Sequence, residues 1–236
     1  FNTSTNFEKD ILLRKAINYA IDREKMMKFL RKNIGYPALS GLVPNGLNND
    51  FYSDRYFKNT ELANKYLNEY KKINDIDNIS LDLTTDAQYL DILEFIQSEL
   101  KSLGINLKIN ITPPSILRQG KATGKFNIFR ASWIADYANP ENYFSLFYSK
   151  NHTPYGPNYT FFQNEEYDKL YEQTLSLNKK DELNKIYEKL EEIINEFSPI
   201  IPLYYDMSVR LKQKNIFGLK NNPLNILDLK TVYKKK

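Results

Sequence analysis

ISLDLTTDAQYLDILEFIQSELKSLGINLKINI, residues 79–111, decides the fold. Ile79, Leu81 and Leu83 alternate with polar residues, as a half-buried strand requires. Tyr89, Ile92, Leu93, Ile96, Leu100 and Leu103 then recur at helical spacing, and Gly104 supplies a stop. Ile105, Leu107, Ile109 and Ile111 alternate again. Strand, helix and strand with short joints predict a βαβ crossover with parallel strands, and so an α/β fold.

The flanks extend that reading. Upstream, residues 8–21 place Ile11, Leu12, Ala16, Ile17, Tyr19 and Ala20 at roughly helical spacing. Asp22 is placed to cap a second helix carrying Met26, Met27, Phe29 and Leu30. Gly35 and Pro37 break the pattern into a loop expected to reach about Asp54, and residues 59–72 form a further helix with Leu62, Tyr66 and Leu67 inward. Downstream, Pro113 and Pro114 open a short helix and residues 126–133 are expected as another strand. A Tyr-, Pro- and Asn-rich loop (149–163) precedes two amphipathic helices. The second carries a stripe of Leu183, Ile186, Tyr187, Leu190, Ile193, Ile194 and Phe197, ended by Pro199. One lobe over residues 1–206 is expected, followed by a C-terminal excursion over 207–236.

Composition sets limits. With 33 Lys and Arg against 29 Asp and Glu, the net charge is only +4. No polyanion or nucleic-acid partner is implied by so small and scattered an excess. The terminal KKK (234–236) reads as a solvated tail. Cysteine is absent, which excludes disulfides and thiolate metal sites. No apolar run approaches the eighteen residues of a membrane span.

The stretch FRASWIADYANPENYF (129–144) holds the single tryptophan, Trp133. It delivers Asp136 into an Asp-Tyr-x-Asn-Pro turn, with Pro140 and Glu141 suited to a helix start. An aromatic and a fixed acid at a strand's C-terminal end, where α/β sheets place their ligands, suit an ammonium group. Asp136 is read either as a cap or turn residue or as that acid. Trp133 is read either as core or, with Ile134, as part of a segment presenting its backbone to an extended ligand.

Four stretches in order resemble the solute-binding proteins of ABC importers, in the extracytoplasmic family that includes the dipeptide and oligopeptide receptors. They are LLRKAINYAIDREKMM (12–27), NIGYPALSGLVPNGL (33–47), WIADYANPEN (133–142) and SPIIPLYYDMSVRL (198–211). The resemblance spans nearly the whole chain but only about the C-terminal half of a full-length member. It implies a periplasmic-binding-protein-like lobe, a mixed sheet flanked by helices, whose segment from residue 207 returns to an N-terminal lobe. It also implies an export signal and lipid anchor on that other half, an extracytoplasmic location and permease subunits as partners. No cofactor or metal is implied.

In peptide-binding members the aspartate at position 136 pairs with the ligand's α-ammonium. A basic residue at position 130 in some of them meets the C-terminal carboxylate, so Arg130 is read either so or as an arginine at a sheet edge. Tyr204 and Asp206 share a face expected to look into the cleft; relatives often carry an aromatic where Asp206 stands. Tyr137 is read evenly as a stacking or a packing residue.

Catalytic chemistry is poorly served. His152 is the only histidine, without zinc spacing or a Gly-x-Ser-x-Gly elbow. QGKATGKF (119–126) lacks the phosphate-loop order, and Glu191 and Glu192 are expected on the outer face of the long helix. The leading expectation is a peptide receptor, not an enzyme. The same family with another cargo (metal chelate, haem, sugar or opine) is the alternative, and an enzyme has no constellation to support it.

Overall fold

The computed structural model describes residues 1–5, 10–47, 55–221 and 226–235. Residues 8–9 of the first expected helix, the loop end near Asp54 and Lys236 of the terminal lysines lie outside them.

The first helix, α1 (Ile11–Ala20), buries Leu13, Ala16, Ile17 and Ala20. Helix α2 (Arg23–Leu30) starts at Asp22, whose carboxylate accepts the Lys25 N–H at 2.9 Å. This satisfies one of the orphan donors of the first turn. A two-residue strand, β1 (Tyr36–Pro37), precedes α3 (Thr60–Asn74), which Asn59 caps through the Leu62 N–H. Next come β2 (Ile79–Thr85), α4 (Leu90–Ser102) and β3 (Ile105–Ile111). Strands β2 and β3 pair in parallel from Ile79↔Ile105 to Thr85↔Ile111, the crossover expected from residues 79–111.

Gly104 turns the chain between α4 and β3 at φ +82, and a Cβ there would meet no atom within 4 Å. The glycine serves backbone conformation alone. Gly104→Ala is therefore expected to cost about 1 kcal/mol, lowering the thermal midpoint by about 2–4 °C; an unshifted melting curve would refute this.

Helix α5 (Pro114–Ala122) opens with proline, and β4 (Ile128–Phe129) lies parallel to β2 on the side away from β3, giving sheet order β3-β2-β4. The strand expected over residues 126–133 is thus shorter. Arg130 adds one more bond, donating its N–H to the Thr84 carbonyl at 3.1 Å. Beyond it the ladder ends and Trp133 stands past the sheet, because its side chain is drawn to the next helix rather than along β2.

That helix, α6 (Glu141–Phe144), is followed by α7 (Glu165–Thr174) and α8 (Lys180–Phe197). Helix α8 ends with Ser198 in the left-handed region, its N–H returning to the Ile194 carbonyl at 2.8 Å. The next strand, β5 (Tyr204–Tyr205), pairs with β1 in antiparallel fashion, Tyr36 opposite Tyr205, and stands apart from the parallel sheet. The mixture of strand directions therefore lies between sheets and not within one. A final antiparallel pair, β6 (Ile216–Phe217) and β7 (Tyr233–Lys234), brings the Phe217 and Tyr233 rings to 5.7 Å.

Two apolar clusters result. One joins α1, α2, α3 and α4 to β2 and β3, with Leu13, Ile17, Met26, Leu93 and Leu107 inside. The other is largely aromatic. Phe144 stacks on Tyr187 at 5.2 Å, and Phe147, Phe162 and Tyr167 meet edge to face. Tyr167 satisfies its buried hydroxyl by donating to the Phe144 carbonyl at 2.7 Å. After β5, Val209, Leu211, Ile226, Leu227 and Leu229 are exposed apolar residues. No helix among the described residues is long and apolar enough to cross a membrane.

Candidate functional site

Between the two clusters lies a cleft of about 790 Å³. Three of the segments lining it are the loop around Gly41–Leu47, the chain leaving β4 (Phe129–Ala135), and the approach to β5 with Tyr204, Tyr205 and Asp206. These segments are remote in sequence, and each is fixed by a different device.

Leaving β4, the chain is held at its ends and free between them. The Arg130 guanidinium sits over the Tyr89 ring, 3.1 Å from its centroid. Three residues on, the Trp133 indole N–H donates to Asn142 Oδ1 at 2.7 Å, and the same oxygen accepts the Asp136 N–H at 3.3 Å. Asn142 is buried in α6, so one amide oxygen orients both the aromatic and the acid. Between these anchors, the backbone groups of Ala131–Ile134 carry no hydrogen bond among the described residues. Ile134 is 78% exposed. A short stretch outside the strand, with open donors and acceptors, lines the cleft.

Asp136 lies one residue past the cleft-lining Ala135, on the surface. Its carboxylate has no hydrogen-bond or ion-pair partner among the described residues. Tyr137 also lies beyond the lining, and its hydroxyl donates to Glu141 Oε2. Burial and that carboxylate hold the phenol above its ordinary value. The structure thus gathers Arg130, Trp133, Ile134, Tyr204 and Asp206 on one cleft and sets Asp136 and Tyr137 just beyond it. Of the lining residues near β5, Tyr204 has Arg31 5.8 Å from its ring, and Asp206 accepts its neighbour Met207 N–H at 2.9 Å.

Two residues escaped the sequence reading. Lys121 lines the cleft with its ammonium 5.3 Å from the Tyr159 ring. Burial, then the nearby Arg130 and Arg118, hold it below the ordinary lysine value. It belongs to QGKATGKF, which fails as a phosphate loop and carries no other signal. The second is Glu191. Its expected place on the outer face of α8 is corrected: the side chain is fully buried, while Glu192 is exposed and lies 3.9 Å from Arg55. Tyr187, Leu190, Glu191 and Ile194 fall at i, i+3, i+4 and i+7, so position 191 lies on the buried stripe. That spacing was the available signal. Glu191 Oε1 accepts the Leu42 N–H at 2.9 Å, and burial pushes its carboxyl up to about 7.

The cleft loop is secured from both sides. The Tyr205 hydroxyl donates to the Gly41 carbonyl at 2.7 Å and lies 3.1 Å from Ser40 Oγ. Tyr205 on β5 and Glu191 on α8 therefore hold consecutive residues of one wall.

A lobe of this architecture, with an open cleft edged by free backbone, is that of a periplasmic binding protein. The chain belongs to the bacterial extracellular solute-binding proteins, family 5; residues 1–155 match the region described as its Middle. It is 28% identical over 242 residues to the dipeptide-binding protein DppE of Bacillus subtilis (strain 168), covering 98% of this chain and 44% of that protein. Over 134 residues it is 31% identical to the periplasmic murein peptide-binding protein MppA of Escherichia coli (strain K12), covering 56% of this chain and 24% of that one. The solved structure of the Escherichia coli murein tripeptide binding protein MppA superposes with a TM-score of 0.84 at 25% identity, over 100% of this chain and 47% of that one. The chain spans less than half the length of curated relatives such as DppE and the Bacillus subtilis oligopeptide-binding protein OppA, at 44% and 41%.

Proposed function

We propose that this chain is the ligand-binding lobe of the substrate-binding component of an ABC importer, taking peptides with a free amino terminus. The observation that carries the reading is the pairing of an open edge with an open acid. Ala131–Ile134 offer unpaired backbone, and Asp136 follows with an exposed carboxylate that the fold leaves without a partner. Backbone pairing grips an extended peptide without regard to its side chains, and a carboxylate fixes where the peptide begins. Arg130 and Lys121 supply positive charge at the other end of the same segment, suited to a carboxylate terminus. Capture would proceed by closure of this lobe against an N-terminal lobe, with delivery to membrane permease subunits and no chemical turnover. Residues 207–236, with their exposed apolar side chains, fit a return to that second lobe. An extracytoplasmic location with a lipid anchor on the N-terminal half completes the reading.

The test is calorimetric titration of the full-length receptor with trialanine and with N-acetyl-trialanine. Acetylation is expected to weaken binding by about two orders of magnitude, because it leaves a desolvated carboxylate without its charge partner. Equal binding of the two, or no binding of either, would overturn the reading and move the cargo to another class, such as a chelate or sugar.

A further inference from the structure

Glu191 has no accessible surface, and its two oxygens are treated differently. Oε1 accepts the Leu42 N–H at 2.9 Å and lies 3.5 Å from the Tyr56 hydroxyl. Oε2 is buried and has no hydrogen-bond partner among the described residues. The facing cation is Arg55, whose guanidinium also lies 4.0 Å from Glu188 and 3.9 Å from Glu192. Among the described residues its charge is thus shared by at least three carboxylates of one helix. The other groups turned toward Glu191 are the buried phenols Tyr56 and Tyr167, with Arg23 over the Tyr56 ring at 5.7 Å. Tyr205 engages the neighbouring Gly41 carbonyl.

The loop lies directly over this carboxyl. Gly41 adopts φ +139, and a Cβ there would come within 2.1 Å of Glu191 Oε1. Gly41, Leu42, Pro44 and Leu47 also line the cleft, so a single layer of main chain separates the buried acid from the ligand space.

We propose that Glu191 is a positioning residue for this cleft wall, holding the 40–47 loop in its packed, ligand-ready arrangement when neutral and releasing it when ionised. A neutral acid keeps the Leu42 hydrogen bond without a buried charge. An ionised one needs more partners than Oε2 finds, and an ion so placed is hydrated most cheaply by displacing what covers it. The neighbouring helix positions, Leu190 and Ile194, are themselves buried at 0% exposure, which leaves the glycine-bearing loop as the part that gives way.

The sign follows from linkage. Burial raises the carboxyl from its ordinary 4.5 to about 7 in the packed state. The packed state therefore gains from protonation; that gain is complete below about 4.5 and is lost as pH rises through about 7. The ligand half of the proposal rests on the peptide-binding reading, and the loop half does not.

The experiment uses the full-length receptor with two readouts at pH 6 and pH 8. These are amide-exchange protection of Leu42, corrected for the intrinsic rate, and trialanine affinity. In the wild type both are expected to fall by up to about tenfold at pH 8. Glu191→Gln, neutral at both values, is expected to hold both near the wild-type level of pH 6. His152→Asn removes the only histidine and is expected to keep the wild-type profile. Leu42 protection that is flat with pH in the wild type, or a Glu191→Gln profile matching the wild type, overturns the proposal. A pH-dependent Leu42 signal abolished by Glu191→Gln, without trialanine binding at either pH, supports the positioning role while removing the proposed cargo.

Discussion

Replacing Asp136 with asparagine in the full-length receptor is expected to weaken trialanine binding by roughly two to three orders of magnitude, with little change in the stability of the empty protein. The two halves of that expectation have separate grounds. The Asp136 carboxylate makes no hydrogen bond or ion pair among the described residues, so the empty fold has nothing to lose. The main-chain N–H of the same residue is held by Asn142 and is untouched by the substitution. In the closed complex the acid would face a desolvated ammonium. Breaking such a pair costs roughly 3–5 kcal/mol, where each 1.4 kcal/mol is a factor of ten in affinity. Calorimetry gives the affinity and a denaturant melt gives the stability. Unchanged affinity would remove Asp136 from the site, and a lost fold would show that its role is structural.

The second large effect is expected far from the ligand, at Arg23. This side chain is 1% exposed. Its guanidinium donates to the carbonyls of Pro202 at 2.6 Å, Tyr56 at 2.8 Å, Asn18 at 3.2 Å and Ile21 at 3.3 Å, and also to Asn18 Oδ1. Burial pulls its pKa down to about 10, so it remains a cation at neutral pH. The planar fork answers carbonyls from the α1–α2 turn, the Arg55–Tyr56 segment and the approach to β5 together, which a lysine ammonium is too compact to do. Arg23→Lys is expected to cost roughly 3–5 kcal/mol, since several buried carbonyls lose their donor at about 1–3 kcal/mol each and part is recovered by relaxation. For a domain of this size that is a drop of roughly 6–20 °C in the thermal midpoint. A variant within 1 kcal/mol of wild type would show that water replaces the fork.

The fold was legible where its signal was local. Residues 79–111 displayed their two periodicities openly, and Asp22 declared a helix start that the structure contains. Strand β4 was overextended because the apolar run toward Trp133 looks like a strand; the pull of Asn142 on the indole lies in a helix nine residues away. One of the four stretches that carry the family resemblance, residues 12–27, contains Arg14 and Arg23 without revealing their work. Both tie α1 and α2 to carbonyls of residues 197–202. Glu191 was misplaced for a related reason: a charged residue on an apolar stripe is read as solvated unless its covering loop, some 150 positions upstream, is known. Lys121 was invisible altogether, as its place in the cleft depends on Tyr159 and Arg130.

The two apolar clusters also bear on how the lobe is assembled. One draws mainly on residues 13–128 and the other mainly on residues 135–194, so each draws on a nearly continuous length of chain. Their contacts close modest loops and are cheap to reach early in folding. The links between them are of another kind. Tyr36 meets Tyr205, Arg23 meets Pro202, and Leu42 meets Glu191. Each closes a loop of roughly 150 residues or more and gains little until both ends are already shaped. The expected order of events is therefore two nuclei first and their seam last, with hydrogen-exchange protection of Leu42 appearing after that of both clusters during refolding. The cleft is that seam, and on this expectation it comes into being only when the two clusters are already formed.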